Sequence, residues 1–213
     1  GDVSHELRSP LARLRIALAL AQEKPDNSVS YLQRIEQEAE RLEDLIGQLL
    51  ATQPQALNLD RHIGLVPLLR QLCADANFEG QGADKKFSFE TDTEQAIVDS
   101  ASDLLHKSFE NILRNALQHT AVNTGVTVVL TRADDRYVVT IEDQGAGVPE
   151  RELPNIFGEF YRVDPARTRE SGGYGLGLAI ARRAVLQHGG ELSAQNTVCG
   201  LKITVSLPIH APK

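Results

Sequence analysis

Apolar positions in the first fifty residues recur at alternating steps of three and four. Leu7, Leu11, Leu14, Leu18 and Ala21 form one series; Leu32, Ile35, Ala39, Leu42, Ile46 and Leu49 form a second. A helix repeats every 3.6 residues, so each series is a heptad-like stripe along one face, of the kind that packs side by side. Between them, "EKPDNS" at 23–28 supplies Pro25 and the helix-capping candidates Asp26, Asn27 and Ser28. The pattern predicts an antiparallel helical hairpin. Two helices cannot close a core alone, whereas two copies of the hairpin would make a four-helix bundle.

After a linker-like stretch, "ATQPQALNLD" at 51–60, the pattern becomes mixed. Helices are expected at about 66–78, 101–119 and 176–188. Short strands fit "KFSFET" (86–91) and "AIVDS" (96–100). "GVTVVLTRADDRYVVTIED" (125–143) reads as a β-hairpin, rich in Val, Thr and Ile, with Asp134 and Asp135 near its turn. A glycine- and arginine-rich irregular stretch runs to about Gly173, and "GELSAQN" and "LKITVSLP" are strands that close the chain.

Composition narrows the function classes. With 213 residues and 41% hydrophobic content, the chain can bury a sizeable core. A net charge of −7 argues against nucleic acid as a partner, because phosphate backbones select basic surfaces. No apolar run approaches the ~20 residues of a membrane span, and no signal peptide is visible. Cys73 and Cys199 have no His or Cys at metal-binding spacing and are expected to be two buried free thiols in a reducing compartment. The chain contains no Met, so a piece of a longer protein is expected.

Four stretches carry chemistry. In "SHELRSPL" (4–11), His5 and Ser9 share a helix face, Glu6 sits about 100° around the helix from His5, and Pro10 leaves the Glu6 carbonyl without its helical partner. A neutral imidazole beside a carboxylate can act as a phosphoryl acceptor, the carboxylate taking or orienting the proton on the second nitrogen. Alone, a His–Glu pair is usually plain helix surface. In "HKSFENILRNALQHT" (106–120), Asn111, Asn115 and His119 step by four along one face, opposite an apolar side of Leu104, Phe109, Ile112 and Leu117. Facing amides can offer oxygens to Mg²⁺, or they can be a solvated stripe. In "EDQGAGVP" (142–149), Asp143 ends a strand, where it can accept from an exocyclic amine. Gly145 and Gly147 would let a flat ring approach the backbone. In "GGYGLGLAI" (172–180), Gly173, Gly175 and Gly177 lead into a helix start with bare N–H groups suited to phosphate. No Gly-Lys-Ser/Thr follows, so this is not a Walker loop, and its context is not that of a dinucleotide fingerprint. Upstream, Arg162, Arg167 and Arg169 add cations that could reach a terminal phosphate.

"SHELRSPL", "NILRNALQHT", "DQGAGVP", "IFGEFYR" and "GYGLGLAI" occur in the order and spacing of the sensor histidine kinases of bacterial two-component systems. They resemble that family's phosphoacceptor, asparagine, first glycine, phenylalanine and second glycine boxes, and the resemblance covers nearly the whole chain. "SHELRSPLARLRIALA" and "RTRESGGYGLGLAIA" are similar to Cpx-type envelope-stress sensors. The resemblance implies an α+β architecture: a helical hairpin, half of a four-helix dimer bundle, followed by an α/β sandwich of the GHKL (Bergerat) ATP-binding type. Residues 1–53 would be the dimerisation and phosphotransfer hairpin, shortened at its amino end, 54–60 a linker, and 61–213 the catalytic ATP-binding domain.

The resemblance also implies residue roles. His5 is the phosphorylated histidine, Glu6 its acid–base partner, and Ser9 the hydroxyl that orients water when the kinase dephosphorylates its partner. Asn115 would coordinate Mg²⁺ with Asn111 beside it, and His119 would lie against the nucleotide. Asp143 would take the adenine amine, supported by Gly145 and Gly147. Tyr161, Arg162, Arg167, Gly173, Gly175, Leu176, Gly177 and Leu178 would border ATP. A lid over about 155–173 would be anchored by Phe157 and Phe160. Implied partners are a response regulator and, in the full-length protein, a second copy; the location is the cytoplasmic part of an inner-membrane sensor. Ser9 departs from the more usual Thr, keeping the hydroxyl but losing the restraining methyl, and Tyr174 replaces a small residue. The competing class is a GHKL ATPase or nucleotide-binding module without histidine phosphorylation. Such an ATPase needs a water-activating Glu where Asn111 stands, and Glu110 points about 100° away.

Overall fold

A computed structural model describes residues 3–23, 30–39, 42, 59, 61–101, 103–159, 161–163 and 175–210, with side chains of the first helix described from Pro10 onward. The chain falls into two compact units. In the first, helix α1 spans Val3–Glu23 and continues through Pro10, and α2 covers residues 30–39. The Arg13 Nε–H donates to Glu38 Oε1 at 2.7 Å, joining the two helices across 25 residues as an antiparallel hairpin requires. Ala17 and Glu38 are buried, whereas Leu11, Ile16, Leu18 and Leu32 are exposed. Of the expected turn at 23–28, Glu23 is the last residue of α1, while residues 24–28 and the expected stripe positions Ile46 and Leu49 lie outside the described residues.

In the second unit, the strands follow the alternation of the sequence. In β4 (Gly125–Ala133) and β5 (Arg136–Glu142), Val126, Val128, Leu130, Tyr137, Val139 and Ile141 point inward. The intervening Thr and Val positions are half exposed, so one sheet face is covered. With β2 (Lys86–Thr91), β6 (Glu191–Asn196) and β7 (Leu201–Pro208), the described residues form a five-stranded sheet in the order β2-β4-β5-β7-β6. β2 runs parallel to β4 and the other pairs are antiparallel, with Ile141 opposite both Val128 and Ile203. Helices α3 (Leu65–Gly80), α4 (Leu104–His119) and α5 (Gly177–Gln187) contribute Leu65, Leu69, Leu105, Phe109, Ile112, Ala181 and Val185 to the same core. This is the expected two-layer α/β sandwich.

Several expectations shift. α4 starts at Leu104, not Ala101, and a 3-10 helix at Glu150–Asn155 lies inside the stretch read as irregular. Strand β1, Arg61–Gly64, was not foreseen; it pairs antiparallel with β3, Ile97–Ser100, as a separate two-stranded sheet. Cys73 is buried, as expected, but Cys199 is exposed. It sits in the tight β6–β7 turn, where Thr197 Oγ1 accepts the backbone N–H groups of both Cys199 and Gly200, at 3.2 and 3.1 Å, and the side chain is left outside. No helix among the described residues is long and apolar enough to cross a membrane.

Candidate functional site

The site is built where β5 ends beside the carboxyl end of α4. Asp143 directly follows β5 and is 3% exposed. Its backbone N–H donates to the Leu201 carbonyl at 3.0 Å, extending the β5–β7 ladder by one residue. Its Oδ1 accepts two backbone N–H groups, from Gly145 at 2.9 Å and Leu201 at 3.2 Å. Oδ2 takes no hydrogen bond from any described residue. A carboxylate whose first oxygen is fully occupied, and whose ring of neighbours is backbone, presents the second oxygen as an oriented acceptor.

Glycines permit this geometry. A Cβ on Gly200 would collide with the carbonyl and Oδ1 of Asp143, and one on Gly145 would collide with the His119 carbonyl. Gly147 adopts φ +68°, a left-handed conformation that glycine enters without strain. The loop from Asp143 to Val148 is held on both sides. On one, the Gln144 N–H donates to Thr120 Oγ1 at 3.1 Å and the Ala121 N–H to the Gln144 carbonyl at 3.2 Å. On the other, Asn196 at the end of β6 clamps Val148: Oδ1 accepts its N–H at 2.9 Å and Nδ2 donates to its carbonyl at 2.6 Å. Thr120, Asn196 and Gly200 were not singled out in the sequence. Thr120 ends the stretch 106–120 and Asn196 ends "GELSAQN", but only strand register shows that these residues touch the loop.

α4 lays Asn111, Asn115 and His119 along one face at successive turns, the two amides half exposed and His119 exposed. Partial desolvation lowers the His119 pKa; Lys85 and Arg162 push the same way and the Asp143 carboxylate opposes them. His119 thus has Asp143, Lys85 and Arg162 as electrostatic neighbours, Lys85 being a residue the sequence analysis did not name. Lys85 is fixed by donating from Nζ to the Leu117 carbonyl at 2.8 Å, at the negative end of α4. The amino end of α5 closes on the same face: a Cβ on Gly177 would lie 3.7 Å from Asn111 Oδ1. Small residues bring the two helices together, and Ser108 Oγ donates to the buried Ala181 carbonyl at 3.2 Å. Glu110 is turned elsewhere, held by Arg114 at 3.1 Å with His106 at 4.0 Å.

Phe157, Tyr161 and Leu178 pack half buried against the core, and Gly175 has φ +76°. Phe160, Arg167, Arg169, Gly173 and Tyr174 lie outside the described residues. His5, Glu6 and Ser9 lie on α1, and their side chains are outside the described set.

Comparisons with known proteins place both halves. Residues 1–53 match the His Kinase A (phospho-acceptor) domain family. Residues 100–211 match the Histidine kinase-, DNA gyrase B-, and HSP90-like ATPase family, an ATP-binding domain. The sensor histidine kinase CpxA of Escherichia coli (strain K12) is 36% identical over 98% of this chain, and the match spans 46% of that protein. The chain therefore spans about half the length of the curated relatives it matches. Among solved structures, the mycobacterial sensor histidine kinase MprB superposes with a TM-score of 0.62 at 26% identity, covering 71% of this chain and 99% of that one. Full-length ShkA in complex with AMPPNP shares the fold over 98% of this chain and 45% of its own, with a TM-score of 0.79 at 22% identity. By its two domain matches and by this identity along nearly its entire length, the chain belongs to the sensor histidine kinases of bacterial two-component systems.

Proposed function

We propose that this chain is the ATP-dependent protein-histidine kinase region of such a sensor, with residues 1–53 as phosphotransfer hairpin, 54–60 as linker and 61–213 as catalytic domain. The observation that carries the reading is Asp143, a buried carboxylate with Oδ1 saturated by two backbone N–H groups and Oδ2 left to accept. An adenine amine is the matching donor, and Gly145 and Gly147 leave room for the ring. His119 lies against the nucleotide. Tyr161, Arg162, Arg167, Gly173, Gly175, Leu176, Gly177 and Leu178 border it, and the N–H groups at the α5 start and the arginines receive phosphate oxygens.

Mg²⁺ fits the amide face of α4: Asn115 and Asn111 are neutral oxygen donors, half exposed and one turn apart, which suits a hard ion that retains waters and phosphate ligands. When bound, the ion neutralises triphosphate charge. The protein's part is positioning. The amides and arginines hold the γ-phosphoryl group for in-line attack, and a neutral ring nitrogen of His5 forms the new P–N bond as the bond to ADP breaks. Glu6 takes or orients the proton on the other ring nitrogen. The phosphoryl group then passes to an aspartate of a response regulator docked on the hairpin, and in the separate phosphatase reaction Ser9 orients the water that hydrolyses that aspartyl phosphate and releases inorganic phosphate. Pairing of two hairpins would cover the exposed Leu11, Ile16 and Leu18. The region is the cytoplasmic part of an inner-membrane protein.

Glu110, tied to Arg114, disfavours a water-activating ATPase. The test is incubation with γ-labelled Mg-ATP, comparing this chain with His5→Ala. Acid-labile, base-stable label that vanishes in the variant is the expected result. Label that persists in His5→Ala, or no ATP binding at all, would overturn the reading.

A further inference from the structure

Three segments far apart in sequence bring metal-ligating side chains together at the end of the sheet remote from Asp143. His62 comes from β1, Asp99 from β3, and His210 follows β7. Asp143 adjoins the Leu201 end of β7 and His210 follows its Pro208 end, so about 20 Å of strand separates the two places. β1 and β3 pair with His62 opposite Asp99. The carboxy-terminal segment is tied in by its backbone: the Ile209 N–H donates to the Asp135 carbonyl and the His210 N–H to the Ile97 carbonyl, each at 3.0 Å. As a result Asp99 Oδ1 lies 3.0 Å from His62 Nδ1 and 2.6 Å from His210 Nδ1, with the ring centroids 4.1 Å apart. One potential ligand atom from each residue lies within 4.8 Å of both others. His62 is exposed and the other two are half buried, so an ion can enter from solvent.

Two imidazoles and a carboxylate are the donor set of three-ligand zinc sites, in which water fills the remaining positions. With metal–ligand bonds of about 2.1 Å, tetrahedral ligand atoms stand about 3.4 Å apart. The Oδ1–Nδ1 spacings of 3.0 and 2.6 Å open to that value with shifts of about 0.4 and 0.8 Å, within reach of side-chain rotations at a half-exposed site. The Nδ1 atoms that meet at Oδ1 would turn to a common ion, each neutral ring carrying its proton on Nε2. We propose that His62, Asp99 and His210 form a binding site for a divalent transition ion. Nitrogen donors favour zinc, nickel or copper over Mg²⁺. The ion staples β1 and β3, at the entry to the catalytic domain, to the carboxy-terminal segment.

The test is calorimetric titration of the metal-freed chain with zinc chloride, with Mg-ATP binding as the control for folding. The wild-type chain takes up zinc, and Mg²⁺ in its place gives no comparable heat. His210→Ala and Asp99→Asn each weaken zinc binding at least tenfold, while ATP affinity stays within twofold. No zinc uptake by the wild type, or unchanged affinity in both variants, overturns the proposal and leaves a hydrogen-bonded cluster only. Should a variant lose ATP binding too, zinc-edge diffraction from zinc-soaked crystals of the wild type decides. An anomalous peak flanked by these three side chains supports the site, and its absence there refutes it.

Discussion

Asn196 grips Val148 with both ends of its amide, accepting the backbone N–H at 2.9 Å and donating to the carbonyl at 2.6 Å. Nδ2 also reaches Glu150 Oε1 at 3.0 Å. One side chain at the end of β6 thereby fixes the far end of the loop that starts at Asp143. Asn196→Ala removes both backbone partners at a half-buried position and is expected to cost about 1–2 kcal/mol of stability. The loop loses one of its two anchors, so ATP affinity is expected to fall about tenfold, equivalent to ~1.4 kcal/mol. Asn196→Asp keeps the acceptor and loses the donor, and should fall between the two. Equilibrium ATP titration of the three chains checks the order; equal affinities would show that the loop holds its shape without Asn196.

Gly200 tests the Asp143 geometry from the opposite direction. Nothing is deleted by Gly200→Ala, but the added methyl meets the Asp143 carbonyl and Oδ1 and crowds the Gly145 nitrogen at 2.7 Å. Neither neighbour is a flexible side-chain end, so the loop must move. Overpacking of this kind costs about 1–3 kcal/mol. Because the displaced atoms hold the acceptor oxygen, ATP binding should drop by more than the fold does. A Tm shift without any loss of ATP binding would contradict the role given to Asp143.

Local spacing made much of this legible. Asn111, Asn115 and His119 step by four and share a face because a helix forces it, and Asp143 precedes two glycines in one continuous string. Strand alternation located β4, β5 and β7, whose inward positions are Val, Leu, Ile and Tyr. What stayed hidden depends on register. Asn196 and Thr120 lie some fifty and twenty-odd residues from the loop they hold, and neither residue type marks itself. Gly200 carries no local signal of its contact with Asp143, which a Cβ there would meet at both the carbonyl and Oδ1. β1 has four residues, "RHIG", too short for an alternation to be visible. The error on Cys199 had a similar origin: composition says that cysteines are usually buried, while the tight β6–β7 turn decides that this one is not.

The two thiols should therefore differ in chemistry. Cys199 is exposed, whereas burial pushes the Cys73 thiol up to about 11, where almost no thiolate exists at neutral pH. An aromatic disulfide reagent at pH 8 is expected to titrate one thiol rapidly in the native chain and the second only on addition of denaturant. Cys199→Ser should abolish the rapid phase and Cys73→Ser should leave it intact. Two rapid thiols in the native chain would mean that α3 does not shield Cys73.

His188 gives the domain a predictable response to acid. It is 2% exposed, just after α5, and joins three backbone or side-chain groups. Its Nδ1 lies 2.6 Å from the Ala184 carbonyl, which only an N–H can satisfy, so Nε2 is the acceptor for the Ala101 N–H and the Ser100 hydroxyl, both at 3.2 Å. This places a neutral ring between α5 and the β3–α4 connection. Burial lowers its pKa below 6.5, and the Ala184 carbonyl offsets this only in part. The unfolded chain therefore binds a proton at a pH where the folded one does not. Stability is full above about pH 6.5 and falls as the pH drops from there through the lowered folded value, by at most ~1.4 kcal/mol per pH unit for one proton. His119, lowered chiefly by desolvation, adds a second contribution of the same sign. Urea unfolding between pH 8 and pH 5 should show this decline, while His188→Gln is less stable at pH 8, having lost matched hydrogen bonds, but loses less on acidification. Equal slopes for the wild type and His188→Gln would mean that His188 is already protonated in the fold or that its surroundings admit water.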